Sequence, residues 1–456
     1  PHVVLSYLDD HGRLVLRSST QVPYHCRRIV AQVLGIPIHQ IRVIKPRVGG
    51  GFGTKQEVLL DQVAGLVTWR TGRPALFLFD RAEEFVASRC RHPMRVRVKV
   101  GAKADGMLHA IEIDALSNTG AYGTHGLTVM SNAGSKTLPL YNKAPHLRFT
   151  GKAVYTNLPV PGAYRGYGAT QGYFPLETAL DEVAEQLGID PVELRRMNHI
   201  RVGESSPIFE ELGEGRKGVE QTVKSCELAT CLDVGVEHFR WAERKNQKKE
   251  DGPWRYGVGM SIMMQGSGIP LIDMAAATMK MNDDGSFNLL IGATDIGTGS
   301  DTILGQIAAE VLGVTLDEII VYSSDTDMTP FDTGAYASST TYVSGMATQK
   351  AAEAVHDQIC EVAAAMLKVD KDSFTLDGGW AVSSEGKKAS LADICRRAMY
   401  GADQFQIGAT ASFVPEESPP PFIANFCEVR VDVETGKIEV TDWLTAVDCG
   451  TPINPK

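Results

Sequence analysis

The residues best suited to chemistry in this chain are small ones, gathered into four loops. The first is Arg47-Val48-Gly49-Gly50-Gly51-Phe52-Gly53-Thr54-Lys55-Gln56. It lies between a strand-like Ile41-Arg42-Val43-Ile44 and residues 57–71, where Val58, Leu59, Val63, Leu66 and Val67 recur at helical spacing. Glycines so placed hold the backbone in dihedrals closed to other residues and bare N–H groups near a helix N-terminus. That suits an anion, or a second backbone approaching closely. Neither nucleotide motif fits. Thr54 stands where the dinucleotide fingerprint needs its third glycine, and it separates Gly53 from Lys55 where the phosphate loop needs them adjacent. A tight turn that lets two elements pack is the competing reading.

The other loops are Ala163-Tyr164-Arg165-Gly166-Tyr167-Gly168-Ala169-Thr170-Gln171-Gly172, Gly292-Ala293-Thr294-Asp295-Ile296-Gly297-Thr298-Gly299-Ser300, and Asp332-Thr333-Gly334-Ala335-Tyr336-Ala337-Ser338-Ser339-Thr340-Thr341. Each precedes a helical pattern, and each taken singly is more often a cap or turn than a site. Together, four loops of N–H groups and hydroxyls suit one large ligand with a phosphate and many polar edges.

The elements that must position these loops recur. Residues 5–17 alternate around Asp10-His11-Gly12 as a hairpin, Ser18-Ser19-Thr20-Gln21 follows, and residues 27–34 read as a short helix. Far downstream, Asp283-Asp284-Gly285-Ser286-Phe287-Asn288-Leu289-Leu290 matches the hairpin and Gly292-Ala293-Thr294-Asp295 the polar stretch. Ala309-Glu310-Val311-Leu312-Gly313 answers Ala31-Gln32-Val33-Leu34-Gly35, and Ile319-Ile320-Val321 answers Ile41-Arg42-Val43. The same order at nearly the same spacing points to an internal duplication: an α+β fold of two related domains with mixed sheets and packed helices. A chance likeness of ordinary elements is the alternative. Between the copies, a second hairpin turns at Asp105-Gly106, residues 176–187 form an amphipathic helix ending at Gly188, and Asp190-Pro191-Val192-Glu193 starts another. The charged run 242–253, which includes Lys248, is the best boundary, and three prolines at 419–421 mark a softer one. The expected domains are residues 1–241 and 256–456, with 242–255 as linker.

Bulk properties narrow the class. The 456 residues, 43% hydrophobic and 22% charged, can bury two or three cores. A formal charge of −10 argues against a general nucleic-acid binder. No apolar run approaches the roughly 18 residues of a membrane-spanning helix, so no membrane role is expected. The eight cysteines form no Cys-x-x-Cys, which is poor for zinc or an iron–sulfur cluster and fits a reducing, cytoplasmic setting. Any electron-carrying cluster would sit on another chain.

With these loops in view, the chain resembles the molybdenum-binding large subunit of the xanthine dehydrogenase family, which also holds aldehyde oxidoreductases, carbon monoxide dehydrogenases and nicotinate dehydrogenases. The likeness is carried by Gly49 through Lys55, by Ala163-Tyr164-Arg165-Gly166-Tyr167-Gly168 with Gln171-Gly172, by Thr294 through Gly299, by the hydroxyl run at 338–341 and by Val447-Asp448-Cys449-Gly450. It spans essentially the whole chain. It implies a molybdopterin cofactor, with the cytosine dinucleotide form left open, and a metal ligated by the pterin dithiolene instead of by protein side chains. Gln21 falls where a side-chain amide sits beside the molybdenum oxo group. Gly51, Phe52 and Gly53 fall on the loop that approaches the metal, and Arg165 at the family's arginine on the cofactor side. Ile296, Gly297, Thr298, Ser338 and Thr340 fall where backbone and hydroxyl groups hold the pterin and its phosphate. The implied reaction is hydroxylation of a carbon beside nitrogen in a heteroaromatic ring, or of an aldehyde, with water as oxygen source and a glutamate as general base. Iron–sulfur and FAD subunits are the implied partners, in a dimer of heterotrimers.

The departures shape the substrate expectation. The general-base glutamate belongs to a Gly-Glu-Pro-type loop expected beyond Lys456, and the strand-like start without Met adds to the expectation of a fragment. Gln56 replaces a glutamate of some members. Tyr167 can serve as one of two aromatic walls, but the other falls at Ser267 or Gly268, and an arginine that meets purine oxygens falls near Asn132. Gly166 replaces the cysteine that holds copper in carbon monoxide oxidation. An N-heteroaromatic hydroxylase therefore leads. An aldehyde oxidoreductase on the same cofactor and a cofactor-binding scaffold inactive alone are the alternatives.

Overall fold

The computed structural model describes residues 1–212, 214–247 and 249–455. They form two compact units that interleave in sequence: Pro1–Arg89 with Gly268–Glu416 and Ile453–Lys456, and Cys90–Ser267 with Glu417–Pro452.

The first unit contains both copies of the repeat. In one, the hairpin strands Val3–Leu8 and Leu14–Ser18 pair antiparallel, with Leu8 opposite Leu14, and Ile41–Ile44 joins parallel to the second strand while Ala75–Leu78 flanks the first. In the other, Ala275–Met281, Phe287–Ile291, Ile319–Ser323 and Gly408–Phe413 take the same four places with the same pairing senses. The helices Pro23–Leu34 and Ser300–Leu312 make the two equivalent crossovers. Each copy buries its own core, Leu14, Leu16, Val30, Ile41 and Val43 in the first and Met279, Phe287, Leu289, Leu304 and Ile359 in the second. The duplication is thus present as topology as well as sequence. The copies are stitched where their parallel strands end: Ile44 bridges Asp325, the Arg42 guanidinium grips the Asp325 carboxylate with Nε–Oδ1 at 3.0 Å, and the Tyr24 hydroxyl donates to the Pro330 carbonyl at 2.6 Å.

Two expectations need correction. The helix after the first glycine loop is Asp61–Thr71, and its Val63, Leu66 and Val67 face outward while Asp61, Ala64, Gly65 and Thr68 are buried. The helix lies so close to its sheet that only small groups fit: a Cβ on Gly65 would reach Leu14 at 3.3 Å, and Ser6 Oγ donates to the Ala64 carbonyl at 2.9 Å. The glycine loop also does not open onto that helix. A single 3-10 turn, Thr54–Gln56, and residues 57–60 intervene, so no α-helix N-terminus backs the loop.

The second unit pairs Met94–Ala102 with Leu108–Asn118 through the expected turn and adds His146–Val154 parallel to the latter. A second sheet orders Ile438–Asp448, Phe422–Asp432, Trp254–Met264 and Glu250–Asp251. Helices Gly126–Ser135, Ala169–Leu187, Pro191–Asn198 and Leu228–Phe239 cover a shared core that includes Ile113, Leu176, Leu232, Ile262 and Phe426. The long helix starts at Ala169, seven residues before the apolar periodicity, and ends with Gly188 at φ 65°. Asp190 caps the next helix by accepting the Val192 N–H at 2.8 Å. Of the charged run, Trp241–Lys245 is helical and Glu250–Asp251 folds back on Trp254–Arg255, while Lys248 lies outside the described residues. Among the described residues no helix is long and apolar enough to cross a membrane.

Candidate cofactor site

Gln21 organises the first unit's loops. It lies between the strand Leu14–Ser18 and the helix Pro23–Leu34, 2% exposed. Its Oε1 accepts the Gly53 N–H at 2.9 Å, and its Nε2 donates to the Ala335 carbonyl. The main chain repeats the clasp: Gln21 N–H donates to the Lys55 carbonyl at 2.9 Å, and Ala335 N–H donates to the Gln21 carbonyl at 3.0 Å. Gly53 offers a donor and Ala335 an acceptor, so the amide has one allowed orientation and keeps one N–H in reserve. A Cβ on Gly51 would overlap this amide. At Gly50, φ is 98° and a Cβ would fall 2.6 Å from the Phe52 ring. Phe52 itself takes a left-handed φ of 53° and is 57% exposed. The buried Lys55 ammonium donates to the Gly50 carbonyl at 3.0 Å, which makes it a brace for the loop instead of an anion ligand. Burial lowers its pKa, with Glu84 opposing.

The downstream loops come alongside. Gly50 N–H donates to the Ile296 carbonyl at 2.8 Å, and Lys45 Nζ to the Asp295 carbonyl at 3.0 Å. The Asp295 carboxylate accepts N–H groups from Gly297 (2.8 Å), Asp301 (3.2 Å) and Gly299 (3.4 Å), so the protein's own anion fills the N-terminus of the helix Ser300–Leu312. Burial works against its ionisation, but these three amides outweigh it and hold its pKa below the ordinary range. The Gly297 N–H is therefore taken. Those of Gly51, Phe52, Ile296 and Thr298 have no acceptor among the described residues. Ala337 and Ser338 have φ of 52° and 56°, and Gly268 N–H donates to the Ala337 carbonyl at 2.9 Å. Ser338 is exposed, and Thr340 opens the π-helical turn Thr340–Ser344 that leads into Gly345–Leu367. Gln56 is half-buried, its N–H on the Gly53 carbonyl at 3.2 Å. The unit thus brings Gln21, Gly51, Phe52, Gly53, Gln56, Ile296 and Gly297 to one place, with Gly268 against the Ser338 segment.

In the second unit, Tyr167 has a left-handed φ of 46°, and its hydroxyl meets His125 Nδ1 at 2.7 Å and Thr128 Oγ1 at 2.8 Å. Gly168 beside it has no room for a Cβ against the Val129 carbonyl. Asn132, buried on the neighbouring helix, donates to Glu214 Oε1 at 3.0 Å. Arg91 holds the Arg165 carbonyl at 2.6 Å, and the exposed Arg165 guanidinium has no partner among the described residues. Ser267 N–H donates to Ser418 Oγ at 2.9 Å. Sequence reasoning missed two participants, Ala335 and Asp295, of which Asp295 was legible as a carboxylate with glycines two and four residues on.

Comparison with known proteins decides the family. Residues 1–199 and 235–456 each match a molybdopterin cofactor-binding domain family. The chain belongs to the molybdenum hydroxylase family. Relatives in that family include the "Probable hypoxanthine oxidase XdhD" of Escherichia coli K12, 41% identical over 456 residues, all of this chain and 47% of that protein. The xanthine dehydrogenase molybdenum-binding subunit of Escherichia coli O157:H7 is 38% identical over 460 residues, 99% of this chain and 60% of that protein. Among solved structures, quinoline 2-oxidoreductase from Pseudomonas putida 86 superposes with a TM-score of 0.90 at 26% identity, covering 100% of this chain and 60% of that one. The aldehyde oxidoreductase from Desulfovibrio gigas gives 0.85 at 25% identity, covering 100% and 48%. The chain spans about half the length of the curated relatives it matches, 47% of one and 60% of the other.

The first unit fits the cofactor of this family. Molybdopterin brings a phosphate and a fused ring edged with hydrogen-bonding groups. The loops offer four unused N–H groups, the exposed Ser338 hydroxyl and a glycine surface at Gly51 closed to any side chain. Ser300 Oγ and Asp301 Oδ1 at the start of the adjoining helix, and Gln306 Oε1 at its middle, are buried without partners among the described residues. Among the described residues no group of three or more His, Cys, Asp and Glu side chains is placed to hold a metal ion, so the fit rests on the organic part of the cofactor.

Proposed function

We propose that this chain carries the molybdenum site of a hydroxylase that places oxygen from water on a carbon beside a ring nitrogen of an aromatic heterocycle. The observation that carries the reading is the Gln21 amide, buried and clasped at both ends where three loops converge, two of them with unused N–H groups. When bound, the cofactor supplies the redox step and the activation of water. The chain's own part is to orient. Gln21 presents a donor whose direction is fixed by its other bonds, which is the form preorganised stabilisation takes. Gly51, Phe52, Ile296 and Thr298 offer main-chain donors, with Lys55 bracing the loop from behind. Tyr167, fastened by His125 and Thr128, offers a flat face to an aromatic ring.

Hypoxanthine and quinoline, the compounds in the names of two relatives, are both N-heteroaromatic, which supports this class over aldehydes. Iron–sulfur and FAD subunits complete the proposed enzyme in the cytoplasm. The test is turnover by the full-length natively expressed protein of hypoxanthine, quinoline, nicotinate and benzaldehyde with an artificial acceptor in ¹⁸O-labelled water. Label in a hydroxylated heterocycle is the expected result. Turnover of benzaldehyde alone would replace the reading with an aldehyde oxidoreductase.

A further inference from the structure

Within the first unit, a pocket beside the end of the glycine loop has room for about one water-sized body. Its lining is rich in oxygen. Ser18, Ser19 and Thr20 come from the stretch that leads into Gln21, and Glu57 and Asp61 from the stretch that leaves the loop. His2 and Lys55 add two basic groups.

The other charged groups of the lining are already engaged. The Glu57 carboxylate accepts Arg89 Nε at 2.6 Å, His2 Nδ1 lies 3.0 Å from Glu84 Oε2, and Lys55 Nζ donates to the Gly50 carbonyl at 3.0 Å. Asp61 differs. It opens the helix Asp61–Thr71 at 6% exposed, and its Oδ1 is buried with no partner among the described residues. Native folds leave few such atoms unanswered. Burial raises the Asp61 pKa, against the Ser18 hydroxyl, the Cys26 thiol, its own main-chain N–H and His2, which all favour the carboxylate. The helix N-terminus favours the same ionised form. Its neighbours thus support an anion at a place where burial penalises one. A water would satisfy the free oxygen but bring no charge to offset that penalty.

We infer that this pocket binds one small monovalent cation, sodium by size, with Asp61 Oδ1 as the charged ligand and oxygens of Ser18, Ser19 and Thr20 completing the shell. A single free carboxylate suits a single positive charge, whereas calcium takes more carboxylate oxygens and magnesium keeps several waters. The ion joins the helix Asp61–Thr71 to the stretch whose next residue, Gln21, holds Gly53 and Lys55. It therefore steadies the glycine loop, whatever reaction the loop serves. The Lys55 ammonium, a like charge in the same lining, keeps the affinity modest.

The test is amide hydrogen exchange on the full-length protein at neutral pH, in sodium or choline chloride of equal ionic strength. Protection of a segment that opens by releasing its ligand grows as one plus the ratio of ligand concentration to Kd. With a Kd of about 10 mM, residues 49–61 exchange roughly tenfold more slowly in about 100 mM sodium than in choline. Asp61→Asn keeps the shape, removes the charge and should exchange alike in both salts. Broadening of the ²³Na resonance by the wild-type protein should saturate, and Asp61→Asn should lose that saturable part. Equal exchange of the wild-type segment in sodium and choline overturns the site, even if Asp61→Asn does not fold. A sodium effect that Asp61→Asn retains overturns it as well.

Discussion

Gln21→Glu tests the clasp at its centre with almost no change of shape. The glutamate keeps an oxygen for the Gly53 N–H but turns an oxygen toward the Ala335 carbonyl, where the amide had donated. Two acceptors then face each other at a site 2% exposed. The side chain escapes by staying protonated, because a carboxylic acid can donate to Ala335 as the amide did. At pH 7 that escape costs at most about 3.7 kcal/mol, from 1.36 kcal/mol for each of roughly 2.7 pH units above the ordinary glutamate value. If the group ionises instead, the unsatisfied carbonyl and the buried charge cost about 1–3 kcal/mol or more, so the penalty at neutral pH should fall near 2–4 kcal/mol. The sign follows from linkage. The folded pKa is raised, so the variant matches wild type below about pH 4.3, loses stability as pH rises toward the shifted value, and loses no more beyond it. Urea denaturation of both proteins at several pH values between 4.5 and 8 would show the gap opening with pH. A gap independent of pH, or no gap, would refute the clasp.

Other substitutions probe the loops separately. Arg165→Ala should leave unfolding stability within about 0.5 kcal/mol, because its exposed guanidinium makes no hydrogen bond or ion pair among the described residues, yet lower molybdenum content or turnover at least about tenfold; equal loss of stability and function would make it structural. Asp295→Asn should destabilise by about 0.5–2 kcal/mol at pH 7. Since the Asp295 pKa is depressed, its contribution is present above the ordinary value of 3.8 and is lost as pH falls through the folded value, so denaturation curves of the pair should converge in acid. Gly50→Ala meets both a φ of 98° and the Phe52 ring, and should lower stability by about 1–2 kcal/mol in a denaturant titration; an unchanged midpoint would show the loop relaxing freely.

The order of elements in the duplication was legible because hairpin turns, apolar alternation and helical spacing are local signals. Its spatial consequence was not: both copies share one unit, since residues 90–267 leave and return between them. The helix Asp61–Thr71 misled because small residues made its buried face, so its large apolar residues were the ones left outside. The first copy's helix begins at Pro23, four residues before the expected start, where proline fixes the first turn. In the site, the glycines announced a close approach, and Gln21 came from family likeness. What no local pattern could give was its partner Ala335, 314 residues away.

The central claim is that the loops around Gln21 hold molybdopterin. Anomalous diffraction collected across the molybdenum K edge, from crystals of the natively expressed full-length protein, tests it directly. The account predicts an anomalous peak next to the Gln21 amide and the Phe52–Gly53 main chain, with pterin density against Ile296, Thr298 and Ser338. A protein without such a peak, or with the metal bound elsewhere, would contradict it.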